Sequence, residues 1–222
     1  MRILVIAAHP DDETIGCAGT MLAHAAHGDR LSWLIVTKAD PSAWSSEIIS
    51  AKEAEVRKVA GLFGIEKYYW PGLPPTRLEE IGLNRVINAV RPVLEETRPD
   101  IVYTVHRGDV HSDHRMVFRA VTILLKPFLM KKYDIRRLLS FECLSSTDAA
   151  PPLADSAFLP NVFSDITPYI DRKIEILNAY GTEMQPEPLP RSSSAVRALA
   201  RLRGASIGVE YAEAFMLIRE IT

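Results

Sequence analysis

RILVIAAHPDDE, residues 2–13, runs from a β-branched apolar stretch directly into a histidine, a proline and three acids. The uninterrupted apolar residues 3–7 predict a strand covered on both faces, as in a parallel sheet. The polar run ends it, because Pro10 fixes φ and aspartates bond to nearby backbone amides. Beyond the turn, residues 14–27 have helical period, Gly28 is a helix stop, and residues 31–37 form a second β-rich run. Strand, helix and strand in that order make a βαβ unit, which pairs its strands in parallel through a right-handed crossover.

The alternation continues outward. Residues 38–45 are a polar turn, and from Ser46 the spacing of Ile49, Val56, Val59 and Phe63 turns one helical face toward a sheet. Residues 67–70 read as a short aromatic strand, 71–77 as a proline-broken loop, 81–96 as a helix and 101–105 as a strand. A helix over 114–125 and a strand over 138–144 follow, and the Ser-, Ala- and Pro-rich residues 145–165 read as surface loop. Residues 166–180 and 193–203 read as helices on either side of the non-helical 185–191, and 212–218 as a strand or a helix end. The prediction is an α/β fold in one domain over residues 1–222. Its core is a Rossmann-like open, mostly parallel sheet with helices on both faces and the active site at the carboxyl ends of the strands.

With 47% apolar and 24% charged side chains in 222 residues, the composition is that of an ordinary globular chain. A net charge of −2 provides no basic footprint, so no nucleic-acid partner is expected. Cys17 and Cys143 are too few and too far apart for a disulfide framework or a Cys-rich zinc site, and a reducing, cytoplasmic location is expected. The apolar start stops at His9, too early for the core of a signal peptide. The apolar residues 121–130 are interrupted by Lys126 and Pro127 and fall short of the roughly 20 needed to span a bilayer, so no integral membrane segment is expected.

Two polar clusters follow strands. Adjacent Asp11 and Asp12 repel unless a cation or hydrogen bonds neutralise them. A histidine and a carboxylate three residues on, as in His9 to Asp12, can close on one ion and leave the other carboxylate free as a base. The second cluster, HRGDVHSDHR at residues 106–115, packs three of the chain's six histidines, His106, His111 and His114, into one loop. If the two strand ends are neighbours, two imidazoles and one carboxylate meet around a divalent ion that keeps an open position for water. His24 and His27 are assigned to the solvated surface, and Gly16 and Gly19 to close helix packing.

The segments AAHPDDETIGCAGT, HRGDVHSDHR, SFECLSST and RGASIGVEYAEAF together resemble the PIG-L/LmbE family of zinc-dependent de-N-acetylases over nearly the whole chain. That resemblance implies an enzyme, a metal-dependent hydrolase that removes an N-acetyl group from an amino sugar or amino-sugar conjugate. His9, Asp12 and His114 would be the metal ligands, Asp11 the general base, and His111, as imidazolium, the residue facing the oxyanion and supplying acid. Glu13, Asp113 and Asp109 would orient imidazoles. Zn2+ is the expected ion, and a set of two histidines and one carboxylate also suits Fe2+ or another divalent ion. A metal-containing sugar-binding or regulatory module without turnover would need neither Asp11 nor His111. A magnesium phosphotransfer site would have no use for the histidines.

The chain departs from its relatives in places. Some carry Asn where His111 stands, and many read PHPRS where this chain has Pro188-Leu189-Pro190-Arg191-Ser192. Arg77 is the counterpart of a substrate-contacting arginine in the loop after the third strand. Trp44, in a polar loop and suited to sugar stacking, and Asp109 are further candidate substrate contacts. Arg191, Arg197, Arg201 and Arg203 form a second basic cluster, either a solvated face or an anchor for a substrate anion. The partner is expected to be a small N-acetylated sugar or conjugate, selected by the loops at 38–45, 71–78 and 144–160. Assembly as a homo-oligomer is left open.

Overall fold

The strands of the computed structural model, which describes residues 1–65 and 67–222, are β1 (Arg2–Ala7), β2 (Arg30–Ile35), β3 (Tyr68–Tyr69), β4 (Ile101–Thr104), β5 (Arg137–Phe141), β6 (Val162–Asp165) and β7 (Ala212–Glu220). They form one sheet in the order β3-β2-β1-β4-β5-β7-β6. The first five in that order pair in parallel, and β7 runs antiparallel to both β5 and β6. In the centre, Ile3 is level with Leu31 on one side and Ile101 on the other. The order reverses between β1 and β4, so the crevice beyond their carboxyl ends is the topological switch point where open α/β sheets bind ligands.

The helices are α1 (Asp12–Ala26), α2 (Ser46–Phe63), α3 (Leu78–Ile81), α4 (Leu83–Thr97), α5 (Ser112–Leu124), α6 (Pro127–Tyr133), α7 (Ile170–Leu177) and α8 (Ser193–Ala205). α1 packs against α2 and α7, and α4 against α3 and α5, which gives the two helical layers. β1 is apolar and almost wholly buried from Ile3 on, as a strand covered on both faces must be. α2 buries Val56, Val59 and Phe63, while Ile49 is only half-buried near its start. Among the described residues, no helix is long and apolar enough to cross a membrane.

Several expected boundaries move. The helix expected over 81–96 is α4, which starts at Leu83 because Gly82 sits at φ 81°, a left-handed backbone value that separates it from the short α3. The 145–165 stretch is not all loop: its last residues form β6, whose ladder on β7 overrides the polar composition upstream. The strand expected over 138–144 stops at Phe141, and residues 212–218 belong to a strand. After the break at Lys126 the chain re-enters a helix, α6, with Pro127 in its first turn, where a missing N–H costs nothing.

α1 carries the polar turn into the interior and is packed without clearance. A Cβ at Gly16 would lie 2.2 Å from the Phe141 ring, and one at Gly19 2.5 Å from Ile166. A buried ion pair is set against its middle. Lys173 Nζ donates to Ile15 O and to Glu213 Oε1, both at 2.7 Å, while Glu213 accepts from the N–H of Gly19 (2.9 Å) and from the N–H and hydroxyl of Thr20 (2.8 and 2.6 Å). The pair touches both ends of the Ile15-to-Gly19 turn, and the donors satisfy every lone pair that burial would otherwise make costly.

Candidate metal centre and active site

The turn after β1 is made by Asp11, whose φ of 103° is costly for a residue with a Cβ and points to a backbone held for function. It places Asp12 and Glu13 in the first turn of α1, where the helix dipole favours acids. Asp12 folds back over the turn: its Oδ2 accepts from the N–H of Ala8 (3.0 Å) and His9 (2.8 Å), leaving Oδ1 to face the crevice. Across the switch point the loop after β4 ends in α5, with His111 as its N-cap. Asp113 and His114 then point inward from the first turn of that helix.

The two loops meet. His114 Nε2 lies 3.2 Å from Asp12 Oδ1 and 3.3 Å from His9 Nδ1, and His9 Nδ1 lies 3.7 Å from Asp12 Oδ2. The far side of each imidazole is tied to a carboxylate. His9 Nε2 is 2.9 Å from Asp113 Oδ2, and His114 Nδ1 is 2.7 Å from Asp109 Oδ2. Asp113 is fixed by the N–H of Thr76 (2.6 Å) and Leu78 (3.2 Å), and Asp109 by the hydroxyl of Thr147 (2.6 Å). With the outer nitrogens engaged as donors, the inner nitrogens turn two lone pairs and a carboxylate oxygen toward one point.

This donor set fits a cation. Bonds of roughly 2.0–2.1 Å in a tetrahedral site hold neighbouring ligand atoms about 3.3 Å apart, close to the distances of His114 Nε2 from Asp12 Oδ1 and from His9 Nδ1. Without an ion a proton has to do the neutralising. Burial pushes the His114 pKa down, but Asp12 and Asp109 carry it up to about 10. Burial raises that of Asp12, but the His114 and His9 imidazoles hold it well below the usual carboxylate range. His9, His111 and His114 also place one ring nitrogen each within 4.8 Å of one another, so His111 borders the same centre.

At His111 the charge expected of the oxyanion partner is opposed by its surroundings. Its Nδ1 accepts the N–H of Asp113 at 3.2 Å and so carries no proton, and burial together with the neighbouring His9 and His114 lowers its pKa to about 4. Asp11 lies beside the cluster, buried, and its pKa is raised by that burial and by the charges of Asp12 and Glu183.

These groups open onto a cavity of ≈ 660 Å³. Trp44, Ile48, Trp70, Val110 and Leu144 supply apolar wall, and Lys52, Thr182, Glu183 and Arg191 a polar one. Trp44 thus lies where a stacking residue is expected, and Trp70 joins it with its indole N–H on Thr37 O. Asp109 is corrected from substrate contact to buried support of His114. Arg77 is exposed, paired with Glu80 at 2.8 Å, and outside the cavity wall. Glu13 touches no imidazole. It is buried, with Oε1 accepting from Thr14 (2.6 Å) and Tyr180 (2.9 Å) and Oε2 unpartnered, and burial raises its pKa to about 7.

His106 points away toward Ser156 O (3.1 Å) and Phe158. His24 is not solvated but is held between Asp29 (2.7 Å) and Tyr103 (3.1 Å). Of the arginine cluster only Arg191 reaches the cavity; Arg197 and Arg203 pair with Asp171 and Glu142, and Arg201 with Glu210. Arg191 and Glu183 have no local motif that marks them, since they join the site through tertiary packing.

The family described as GlcNAc-PI de-N-acetylase, PIG-L, matches residues 4–125, a span that holds both ligand loops. The chain is 23% identical over 191 residues to the Bacillus anthracis protein named "Probable N-acetyl-alpha-D-glucosaminyl L-malate deacetylase 2", covering 82% of this chain and 81% of that one. The fold matches a conserved protein from Thermus thermophilus with a TM-score of 0.78 at 23% identity, over 99% and 96% of the two chains. It also matches the N,N'-diacetylchitobiose deacetylase of Pyrococcus horikoshii, with a TM-score of 0.74 at 22% identity over 98% and 83%.

Proposed function

Because the chain belongs to the GlcNAc-PI de-N-acetylase (PIG-L) family, we propose that it is a metal-dependent hydrolase that removes the N-acetyl group from an amino sugar or amino-sugar conjugate, releasing acetate and a free amine. The observation that carries this reading is the convergence of His9, Asp12 and His114 at the switch point with an unligated carboxylate, Asp11, beside them. The names of the Bacillus and Pyrococcus relatives, both deacetylases of acetylated amino sugars, support the substrate class.

His9, Asp12 and His114 would hold the ion, for which zinc is the best fit to two imidazoles and a carboxylate. When bound, a divalent ion polarises the amide carbonyl and lowers the pKa of water at its open position. Asp11 accepts the proton of the attacking water as its oxygen bonds to the carbonyl carbon. His111, neutral and with Nε2–H toward the centre, donates a hydrogen bond to the oxygen that gains charge. As the C–N bond breaks, Asp11 returns the proton to the amine, which cannot leave as an amide ion. Asp113 and Asp109 keep the two ligand rings in the required tautomer. The mixed wall of the cavity, tryptophans facing charged side chains, suits the apolar and hydroxylated faces of a sugar ring.

The test is acetate release from a panel of N-acetylated sugars and conjugates by protein of measured metal content. Turnover with about one zinc per chain is expected, lost on chelation and restored by zinc. A protein that binds metal and releases no acetate from any member would be a binding module instead.

A further inference from the structure

The carboxylate of Asp11 is steered from a distant part of the chain. Its side chain makes no capping hydrogen bond to α1, and among the described residues its hydrogen-bond partner is Arg191, with Nη1 3.3 Å from Oδ2. Arg191 is braced in turn. Its Nη1 lies 3.6 Å from Glu183 Oε2, and Glu183 pairs with Lys52 of α2. Next to it Thr182 donates its N–H (2.9 Å) and hydroxyl (2.6 Å) to Glu55 of the same helix. The Arg191 backbone is clamped by Gln185, whose N–H reaches Arg191 O at 3.1 Å and whose Oε1 accepts the Arg191 N–H at 3.2 Å. Charges of alternating sign therefore run from Asp11 through Arg191 and Glu183 to Lys52.

A stabilising role explains little of this. Arg191 keeps 29% of its side chain exposed and Asp11 5%, and an ion pair drawn out of water is weak evidence of a gain in stability, because desolvation offsets the attraction. A guanidinium, by contrast, fixes direction, because its donors are rigidly disposed. Direction is what Asp11 lacks, since its backbone is in the left-handed region and its carboxylate has no local anchor. We propose that Arg191 is the positioning residue of Asp11, holding its carboxylate toward the cavity, with Glu183 and Lys52 holding the guanidinium. This rests on Asp11 being the base.

A double-mutant cycle tests it with wild type, Asp11→Asn, Arg191→Gln and the double variant, each assayed for kcat, KM, bound zinc and Tm. Arg191→Gln should lower kcat roughly 10- to 100-fold, the cost of a catalytic group displaced by about 1 Å. KM and zinc should stay within about twofold, and Arg191→Lys should recover part of the loss. In the Asp11→Asn background the same change should cost less than about twofold, because there is no base left to steer. A loss that multiplies unchanged in that background, a loss confined to KM, or wild-type kcat in Arg191→Gln would overturn the proposal. If Arg191→Gln does not fold, Glu183→Gln enters the cycle with the same criteria and a smaller expected loss. A wild type that releases no acetate defeats the hydrolase reading itself, whereas an active wild type with additive losses defeats only the positioning role.

Discussion

Raising the pH of the metal-free protein should weaken it through one imidazole. Burial alone would push His114 down, but Asp12 and Asp109 carry its pKa from 6.5 up to about 10. A group that binds its proton more tightly when folded stabilises the fold in full below its unfolded pKa and loses that contribution as pH climbs through the folded one. At about 1.4 kcal/mol per pH unit, the ceiling is about 5 kcal/mol, of which about 3 kcal/mol is gone by pH 9. Asp12 is not added, because its depressed pKa is the same attraction seen from the other partner. For a chain of this size about 1 kcal/mol moves Tm by roughly 2–4 °C, so metal-free protein should melt about 6–12 °C lower at pH 9 than at pH 6.5. An ion at the cluster displaces that proton. Zinc-loaded protein should therefore lose only the smaller contribution of Glu13 over the same range, and zinc uptake at pH 7.5 should release about one proton from His114. Scanning calorimetry of chelated and loaded protein, with zinc titrations in buffers of different ionisation enthalpy, measures both. A level metal-free Tm, or uptake without proton release, would refute the assignment of His114 as a proton-blocked ligand.

Asp11→Asn should retain zinc and fold while losing roughly two to four orders of magnitude in kcat, read from acetate release at saturating metal; near wild-type turnover would move the base elsewhere. Asp113→Asn, which removes the charge behind His9 Nε2, should weaken zinc binding roughly 10- to 100-fold in a competition titration. Glu13 is buried with one oxygen unpartnered and its pKa raised from 4.5 to about 7, so it contributes a loss of stability as pH rises across that window; Glu13→Gln should flatten the fall and raise Tm at pH 7. Gly16→Ala drives a methyl into the Phe141 ring and should cost about 1–3 kcal/mol by chemical denaturation.

The ligand loops were legible because chain order and space coincide there. β1 and β4 are adjacent in the sheet, so the two polar runs that follow them meet, and the resemblance to a known family singled out His9, Asp12 and His114 within them. Gly16 and Gly19 likewise do what their spacing suggests. What failed depended on partners that local pattern does not reveal. The substrate contact expected of Asp109 gives way to its other expected role, beside an imidazole, because a threonine 38 residues away fixes its other oxygen, and a backbone N–H two residues on opposes a charge on His111. The segment 180–192 reads as a proline-rich connection, yet it delivers Glu183 and Arg191 to the cavity, because α2 and the start of α1 supply the charges that hold it.

The ion pair set against α1 has a consequence for when the site comes into being. Every ligand lies in the first 114 residues, so a growing chain holds the complete donor set when barely half made. The helix that presents Asp12, however, is completed by Lys173 and by Glu213, which meets Gly19 across 194 positions of sequence. Closing so long a loop is entropically slow, and until β7 docks, Lys173 would be buried without its counter-charge. A chain stopped before residue 212 would carry all three candidate ligands but lack the carboxylate that pairs Lys173 against α1.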